Sequence, residues 1–244
     1  MGIETAARSD TGRVRDHNED SVLVAPTSDG RLLAVADGMG GHNAGEVASA
    51  VALEAFVAEL GDRLGDSTVP EAMETGALTA DAAVRDAAGN DPDRDGMGTT
   101  LVAALVGEDA TTVVNVGDSR AYRVDETAIE QVSVDHSLVQ ELVESGEIDP
   151  EEADSHHQRN VISQALGAGQ EIDPDTFEVD LDPGETVLLC SDGLTEEVPE
   201  STIHDVLAGA ESLAGAADAL VAAANERGGS DNVSVVLGRR DTDD

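Results

Sequence analysis

Residues 32–41 read Leu32-Leu33-Ala34-Val35-Ala36-Asp37-Gly38-Met39-Gly40-Gly41. Five consecutive apolar residues have the length of a buried strand, and they deliver one carboxylate, Asp37, into a glycine-rich turn. An alanine-rich helix follows from Gly45 to about Leu60, with Val47, Val51 and Ala55 in one row at i, i+4, i+8. A carboxylate at the mouth of a buried strand, followed by small residues, is arranged like a site. Asp-Gly is equally an ordinary turn dipeptide. The choice rests on whether the rest of the chain provides partners for Asp37.

On the N-terminal side, residues 3–9 fit a short strand, 13–20 are polar apart from Val14, and the β-run 21–25 turns at Asp29-Gly30 into 32–36 as a hairpin. On the C-terminal side, Pro70 opens a second helix that runs to about Ala88. Residues 90–98 are loop, and strands are expected at 99–106, 111–116, 121–124 and 129–132. A helix fits 137–144, residues 146–155 are acidic loop or irregular helix, and the apolar run 161–166 fits either state. A strand at 186–189, helices at 199–207 and 212–226, and a last strand at 233–237 complete the chain. Hairpins, then paired helices, then strands again predict a layered α+β fold rather than a parallel βαβ sheet. One domain over residues 1–240 with an acidic tail at 241–244 is expected.

The core must be built from Ala, Val and Leu, because the 244 residues contain no Trp, one Tyr (Tyr122) and two Phe (Phe56 and Phe177). The net charge of −39 comes from 52 acids against 13 bases, and every base is Arg. Self-repulsion on that scale is screened when the Debye length falls to ~3 Å near 1 M salt. The composition therefore predicts a cytoplasmic protein of a high-salt cell, with a fold that needs molar salt. Nucleic acid and anionic membranes are poor partners for such a surface. Absence of Lys excludes a Walker lysine and a Schiff base. Cys190 is alone, so no disulfide framework or thiolate zinc cluster can form. No apolar run reaches the ~18 residues of a membrane span, and the N-terminus lacks a signal-peptide core.

One pattern recurs along the chain. Asp37, Asp118, Asp192 and Asp231 each stand at a strand end beside Gly or Ser, in a locally uncharged stretch. Carboxylates half buried in packed sheets need compensation. With no Lys to pair them, a hard divalent cation, Mg²⁺ or Mn²⁺, fits best. The six His are scattered, and His156-His157 lack the spacing of a helical zinc pair. A dinucleotide-binding reading fails at Asn43, where a third Gly is needed. A cysteine-phosphatase loop fails at Glu196, where Arg is needed.

Arg15-x-x-x-Glu19-Asp20, Ala36-Asp37-Gly38-Met39-Gly40-Gly41, Gly98-Thr99-Thr100, Val116-Gly117-Asp118-Ser119-Arg120, Ser191-Asp192-Gly193-Leu194-Thr195 and Gly229-Ser230-Asp231-Asn232 occur in this order. In that order and spacing the chain resembles the metal-dependent Ser/Thr protein phosphatases, the PPM or type 2C family, in its compact prokaryotic branch. The resemblance implies a four-layer α-β-β-α sandwich of two antiparallel sheets flanked by helices, with a two-ion Mn²⁺ or Mg²⁺ site at one end. It implies that Asp37 bridges both ions, that Glu19 and the Gly38 carbonyl hold one, and that Asp192 and Asp231 hold the other. Asp20 would hydrogen-bond water in the metal shell and Asn232 would orient Asp231. Asp118, sharing Asp192, would match a third, weaker site, with Glu196 ranked below it. Arg15 would clamp the substrate phosphate. The implied reaction is hydrolysis of phosphoserine and phosphothreonine on proteins by a water activated between the two ions, opposing a Ser/Thr kinase, in a monomer.

Two departures stand out. Met39 lies where many eukaryotic relatives carry a His thought to protonate the leaving group; a water in the metal shell would serve instead, with His42 ranked below it. Residues 136–160 match a flap over the site, here acidic through Glu141, Glu144, Glu147, Glu151 and Glu152. Two other functions stay open at this point. A pseudophosphatase that docks phosphoproteins would be expected to lack metal ligands, and these are present. A phosphatase of small phosphoesters or of anti-sigma-factor antagonists fits the same residues.

Overall fold

Alternation along the central strands sorts their side chains into two different cores. In β3 (Gly30–Met39), Leu32, Ala34 and Ala36 face helices, whereas Leu33 and Val35 face a second sheet. The same division holds in β5 (Leu101–Val106), where Leu101, Ala103 and Leu105 point to the helices and Val102, Ala104 and Val106 to the opposite sheet. Strands buried on both faces read as continuous apolar runs, which is why these two were visible in the sequence.

The computed structural model describes residues 2–41, 44–108, 110–153 and 156–241. Strands β1 (Ile3–Asp10), β2 (Asp20–Thr27) and β3 are followed by helices α1 (Ala44–Arg63) and α2 (Val69–Gly89). Then come β4 (Gly98–Thr99), β5, β6 (Thr111–Val116), β7 (Arg120–Val124), β8 (Ile129–Gln131), α3 (Leu138–Glu144) and α4 (Pro150–Ala153). The chain closes with β9 (Asp175–Val179), β10 (Thr186–Cys190), α5 (Asp192–Thr195), α6 (Glu200–Gly209), α7 (Leu213–Arg227) and β11 (Val233–Arg240). One sheet has the order β1-β11-β10-β7-β8 and the other β2-β3-β5-β6-β9, with β4 paired to the end of β3. Every recorded strand pairing is antiparallel. Helices α1 and α2 cover the second sheet, α6 and α7 the first, and the sheets pack face to face. The architecture is the expected α-β-β-α sandwich.

Helix α1 buries Ala48, Ala52, Phe56 and Leu60, one position round from the expected row of Val47, Val51 and Ala55, which is only partly buried. Small alanines let the helix sit close to the sheet, and the valines fill its flank. Helix α2 begins with a capping box in which Glu71 accepts from the Thr68 backbone at 3.1 Å, a feature worth about 1 kcal/mol.

Strand β9 was not expected. It alternates exposed and half-buried residues at a sheet edge, so it shows no apolar run. The expected strand 99–106 is broken at Thr100, whose N–H turns to the Asp37 carbonyl at 2.9 Å. Residues 161–166 form no helix or strand and are held by isolated bridges, Ser137 with Ile162 and Thr99 with Leu166. Among the described residues, no helix is long and apolar enough to cross a membrane.

Candidate metal centre

Asp37 does not sit in a turn. Strand β3 runs on through it to Met39, and Asp37 stands directly across from Asp20 on β2, while Gly38 and Met39 pair with Thr99 and Gly98. Cross-strand pairing thus sets two carboxylates side by side, an unfavourable contact unless something positive is shared. Asp118 follows β6, Asp192 follows β10 as the first residue of α5, and Asp231 precedes β11. All three act electrostatically on Asp37, so these strand ends converge on one site.

Each carboxylate has its own support. The Asp37 N–H donates to Thr100 Oγ1 at 2.9 Å, and its carbonyl accepts from Thr99 Oγ1 at 2.8 Å. Thr100 Oγ1 lies 2.7 Å from Ser119 Oγ, linking the Asp37 peptide to the neighbour of Asp118. Ser191 Oγ donates to Asp20 Oδ2 at 2.9 Å and accepts from the Ser234 N–H at 3.0 Å. Asp231 Oδ1 accepts from the Asn232 backbone N–H at 2.8 Å. Arg15 Nη2 donates to Asp231 Oδ2 at 2.6 Å, with the Arg15 side chain half exposed. The hydroxyls of Thr100, Ser119 and Ser191 belong to the quoted motifs, but nothing in spacing alone assigned them this work.

Glu19 lies at the end of the loop between β1 and β2, where its carbonyl accepts from the Gly38 N–H at 3.2 Å and from Ser49 Oγ at 2.6 Å. Gly38 and Gly45 are glycines because three chain segments meet there. A Cβ on Gly38 would lie 2.1 Å from the Gly45 carbonyl oxygen, and one on Gly45 would lie 2.6 Å from Glu19 Oε1. The space over Gly38 is therefore filled by the first turn of α1, not kept open.

Around Asp118, Arg120 grips Asp135 with two nitrogens at 2.7–3.0 Å, and His136 Nδ1 accepts from the Gly117 N–H at 3.3 Å while Nε2 faces Asp175 Oδ2 at 3.0 Å. Glu196 repels both Asp118 and Asp192, and its carboxylate is 3.8 Å from Arg159 Nε. His42 lies outside the described residues, as does the side chain of Glu151.

The electrostatics are those of crowded anions. Burial first, then Asp20, Asp192, Asp118 and Asp231, hold the Asp37 carboxyl well above its ordinary range. Burial and then Asp118 push Asp192 up to about 8. Asp20 is pushed up to about 6 by burial, against hydrogen bonds from Ser234 and Ser191. Asp118 is pushed up to about 6 by burial and Asp135. Burial also raises Glu19. Three buried oxygens, Glu19 Oε1, Asp20 Oδ1 and Asp192 Oδ1, have no hydrogen-bond partner. Orphaned carboxylate oxygens cost free energy unless a cation takes them, and an all-oxygen set suits Mg²⁺ or Mn²⁺. Among the described residues, no three or more His, Cys, Asp or Glu side chains are gathered closely enough to hold an ion as they stand.

The comparisons with known proteins point the same way. The family profile described as Protein phosphatase 2C matches residues 12–234. The chain is similar to the serine/threonine phosphatase stp of Listeria welshimeri, at 41% identity over 241 residues, covering 96% of this chain and 94% of the relative. Its structure is similar to the crystal structure of the Mycobacterium tuberculosis serine/threonine phosphatase PstP/Ppp, with a TM-score of 0.90, 39% identity, and 99% and 100% of the two chains covered. A structure of the PstP catalytic domain in complex with two manganese ions matches with a TM-score of 0.85 at 38% identity, covering 97% of each chain.

Proposed function

Since the chain belongs to the protein phosphatase 2C family, we propose that it is a metal-dependent serine/threonine protein phosphatase acting on phosphoproteins in kinase signalling. The observation that carries the metal requirement is the set of orphaned oxygens on Glu19, Asp20 and Asp192, beside an Asp37 surrounded by like charge. In this reading Glu19, the Gly38 carbonyl, Asp37, Asp192 and Asp231 would hold two Mn²⁺ or Mg²⁺ ions, with Asp37 common to both, Glu19 and Gly38 on one side and Asp192 and Asp231 on the other. Asp20 belongs to the same shell, and Asp118 with Asp192 offers a weaker third place. Glu196 is its outermost acid, and Asn232 braces Asp231 through its backbone amide. Ions bound there supply Lewis acidity and positive charge for the phosphoryl oxygens.

The chain's own residues do the rest. Arg15 has five N–H donors and spends one on Asp231, so the remainder of its fork is available to phosphate oxygens. Cys190 is fully buried, with burial pushing its thiol up to about 12, so it is not a nucleophile for a phosphoenzyme. Met39 holds no proton to give a leaving alkoxide. The domain extends over residues 1–240, works as a monomer with a cognate Ser/Thr kinase, and acts in a high-salt cytoplasm.

The test is hydrolysis of a chromogenic phosphoester and of a phosphothreonine peptide in molar KCl, with Mn²⁺ and with chelator. Activity that needs Mn²⁺ and includes the peptide supports the reading. Peptide binding without turnover would favour a docking module, and turnover of the small ester alone would favour a small-phosphoester enzyme. Arg15→Ala is expected to raise KM for the peptide by about 10- to 100-fold, the value of a lost charge-assisted hydrogen bond pair, with a smaller change in kcat. An unchanged KM removes Arg15 from phosphate binding. The melting temperature is expected to rise by about 10 °C or more from dilute buffer to molar KCl, because 52 acids face 13 arginines. A flat salt profile would overturn the adaptation to high salt.

A further inference from the structure

The loop of residues 11–19 carries Arg15 and Glu19 and has no helix or strand of its own. Loops of that kind are mobile unless something ties them down, yet both residues must meet Asp231 from the opposite end of the chain. One side chain holds the loop at three points. Asn232 is 4% exposed and its amide makes three hydrogen bonds to this loop. Nδ2 donates to the carbonyls of Thr11 at 3.0 Å and His17 at 2.9 Å, which lie at the two ends of the loop. Oδ1 accepts from the Glu19 N–H at 2.8 Å. The backbone N–H of the same residue holds Asp231 Oδ1.

We propose that Asn232 is a positioning residue whose side chain closes loop 11–19 and so sets Glu19 and Arg15 in register with Asp231. The role usually expected of a residue beside a ligand, steering that ligand, falls here to its peptide nitrogen. The side chain serves the other half of the site. Both amide donors and one acceptor lone pair are engaged in a buried place where water cannot substitute. The Arg13 N–H to Gly229 carbonyl bond at 2.7 Å ties the middle of the loop to the same segment, and Gly38 N–H and Ser49 Oγ hold the Glu19 carbonyl, but neither tie reaches Thr11 or His17 or joins Glu19 to the segment of Asp231. Gly12 is pressed against this junction, since a Cβ there would lie 2.2 Å from the Asp231 carbonyl oxygen. An acidic isostere cannot replace the amide, because it would set carboxylate oxygens against two backbone carbonyls.

The inference rests on the phosphatase reading for its kinetic consequences, and amide exchange tests it independently. In the wild-type protein in molar KCl, the Glu19 amide and the Asn232 side-chain NH₂ are expected to exchange slowly, unlike the exposed loop amides around them. Fast exchange at both would overturn the clamp without any variant. In Asn232→Ala the Glu19 amide is expected to lose its protection, and in both Asn232→Ala and Asn232→Asp Mn²⁺ affinity is expected to fall by about tenfold or more. At saturating Mn²⁺, KM for a phosphothreonine peptide is expected to rise more than kcat falls, since Arg15 is released with the loop. Wild-type Mn²⁺ affinity and KM in a folded Asn232→Ala would overturn the proposal. A wild-type protein with no Mn²⁺-dependent activity would instead overturn the functional reading and leave the exchange result to decide the clamp.

Discussion

Asp37→Asn and Asp192→Asn are expected to lose about a thousandfold in kcat/KM, near 4 kcal/mol, and to melt higher than wild type in chelator. The two effects have one cause. Asp37 carries the burden of four like charges, from Asp20, Asp192, Asp118 and Asp231, in a place where burial alone already disfavours its charge. A neutral amide there relieves the metal-free fold, and for a chain of this size each kcal/mol recovered raises the melting temperature by about 2–4 °C. The same amide cannot bridge cations. Activity and metal-free stability should therefore move in opposite directions, as at other sites where strain is kept for function. Activity and melting temperature of each variant, measured in molar KCl with Mn²⁺ and with chelator, check this. Full activity in Asp37→Asn would remove the two-ion site. A lower melting temperature in chelator would show that Asp37 has a structural partner instead.

Mn²⁺ affinity is expected to rise by about 100-fold between pH 6 and pH 8. Asp192 has its carboxyl pushed from 3.8 to about 8, and Asp20 and Asp118 are pushed to about 6. A raised carboxyl pKa means the folded chain holds a proton that the unfolded chain has released. Its contribution to stability is complete below the ordinary value near 3.8 and is lost as pH rises through the folded value. The metal-free protein should accordingly weaken from about pH 4 to pH 8. A cation must displace those protons, so each one gives a tenfold gain in affinity per pH unit below its pKa. Titration calorimetry at pH 6, 7 and 8, with the proton release counted in two buffers, measures both the slope and the number of protons. An affinity independent of pH would mean that the carboxylates are already ionised when the ion arrives.

Much of this was legible before any coordinates. The helix-facing and sheet-facing rows of β3 and β5 come from continuous apolar runs of strand length, the pattern of strands buried on both sides. The acids at 37, 118, 192 and 231 stood out because each interrupts an uncharged stretch. Strand β9 escaped because an edge strand needs no apolar alternation, and the break at Thr100 escaped because it depends on the carbonyl of Asp37, far away in sequence. In α1 the row of Val47, Val51 and Ala55 is only partly buried, and the row of Ala48 and Ala52 beside it faces the core. Close packing against a sheet favours the smaller residue.

By itself the sequence determined the layered fold, the acidic character and the identity of the carboxylates, since each is written in local runs and residue types. Only the tertiary structure decided that Asp37 lies within a strand opposite Asp20, that Gly38 is crossed by the first turn of α1, and that Asn232 closes the loop bearing Arg15 and Glu19. Those are contacts between residues up to 221 positions apart. Hydrogen bonds and close approaches over such separations have no periodicity to betray them, because they come from the packing of the sheets and not from any one segment of the chain.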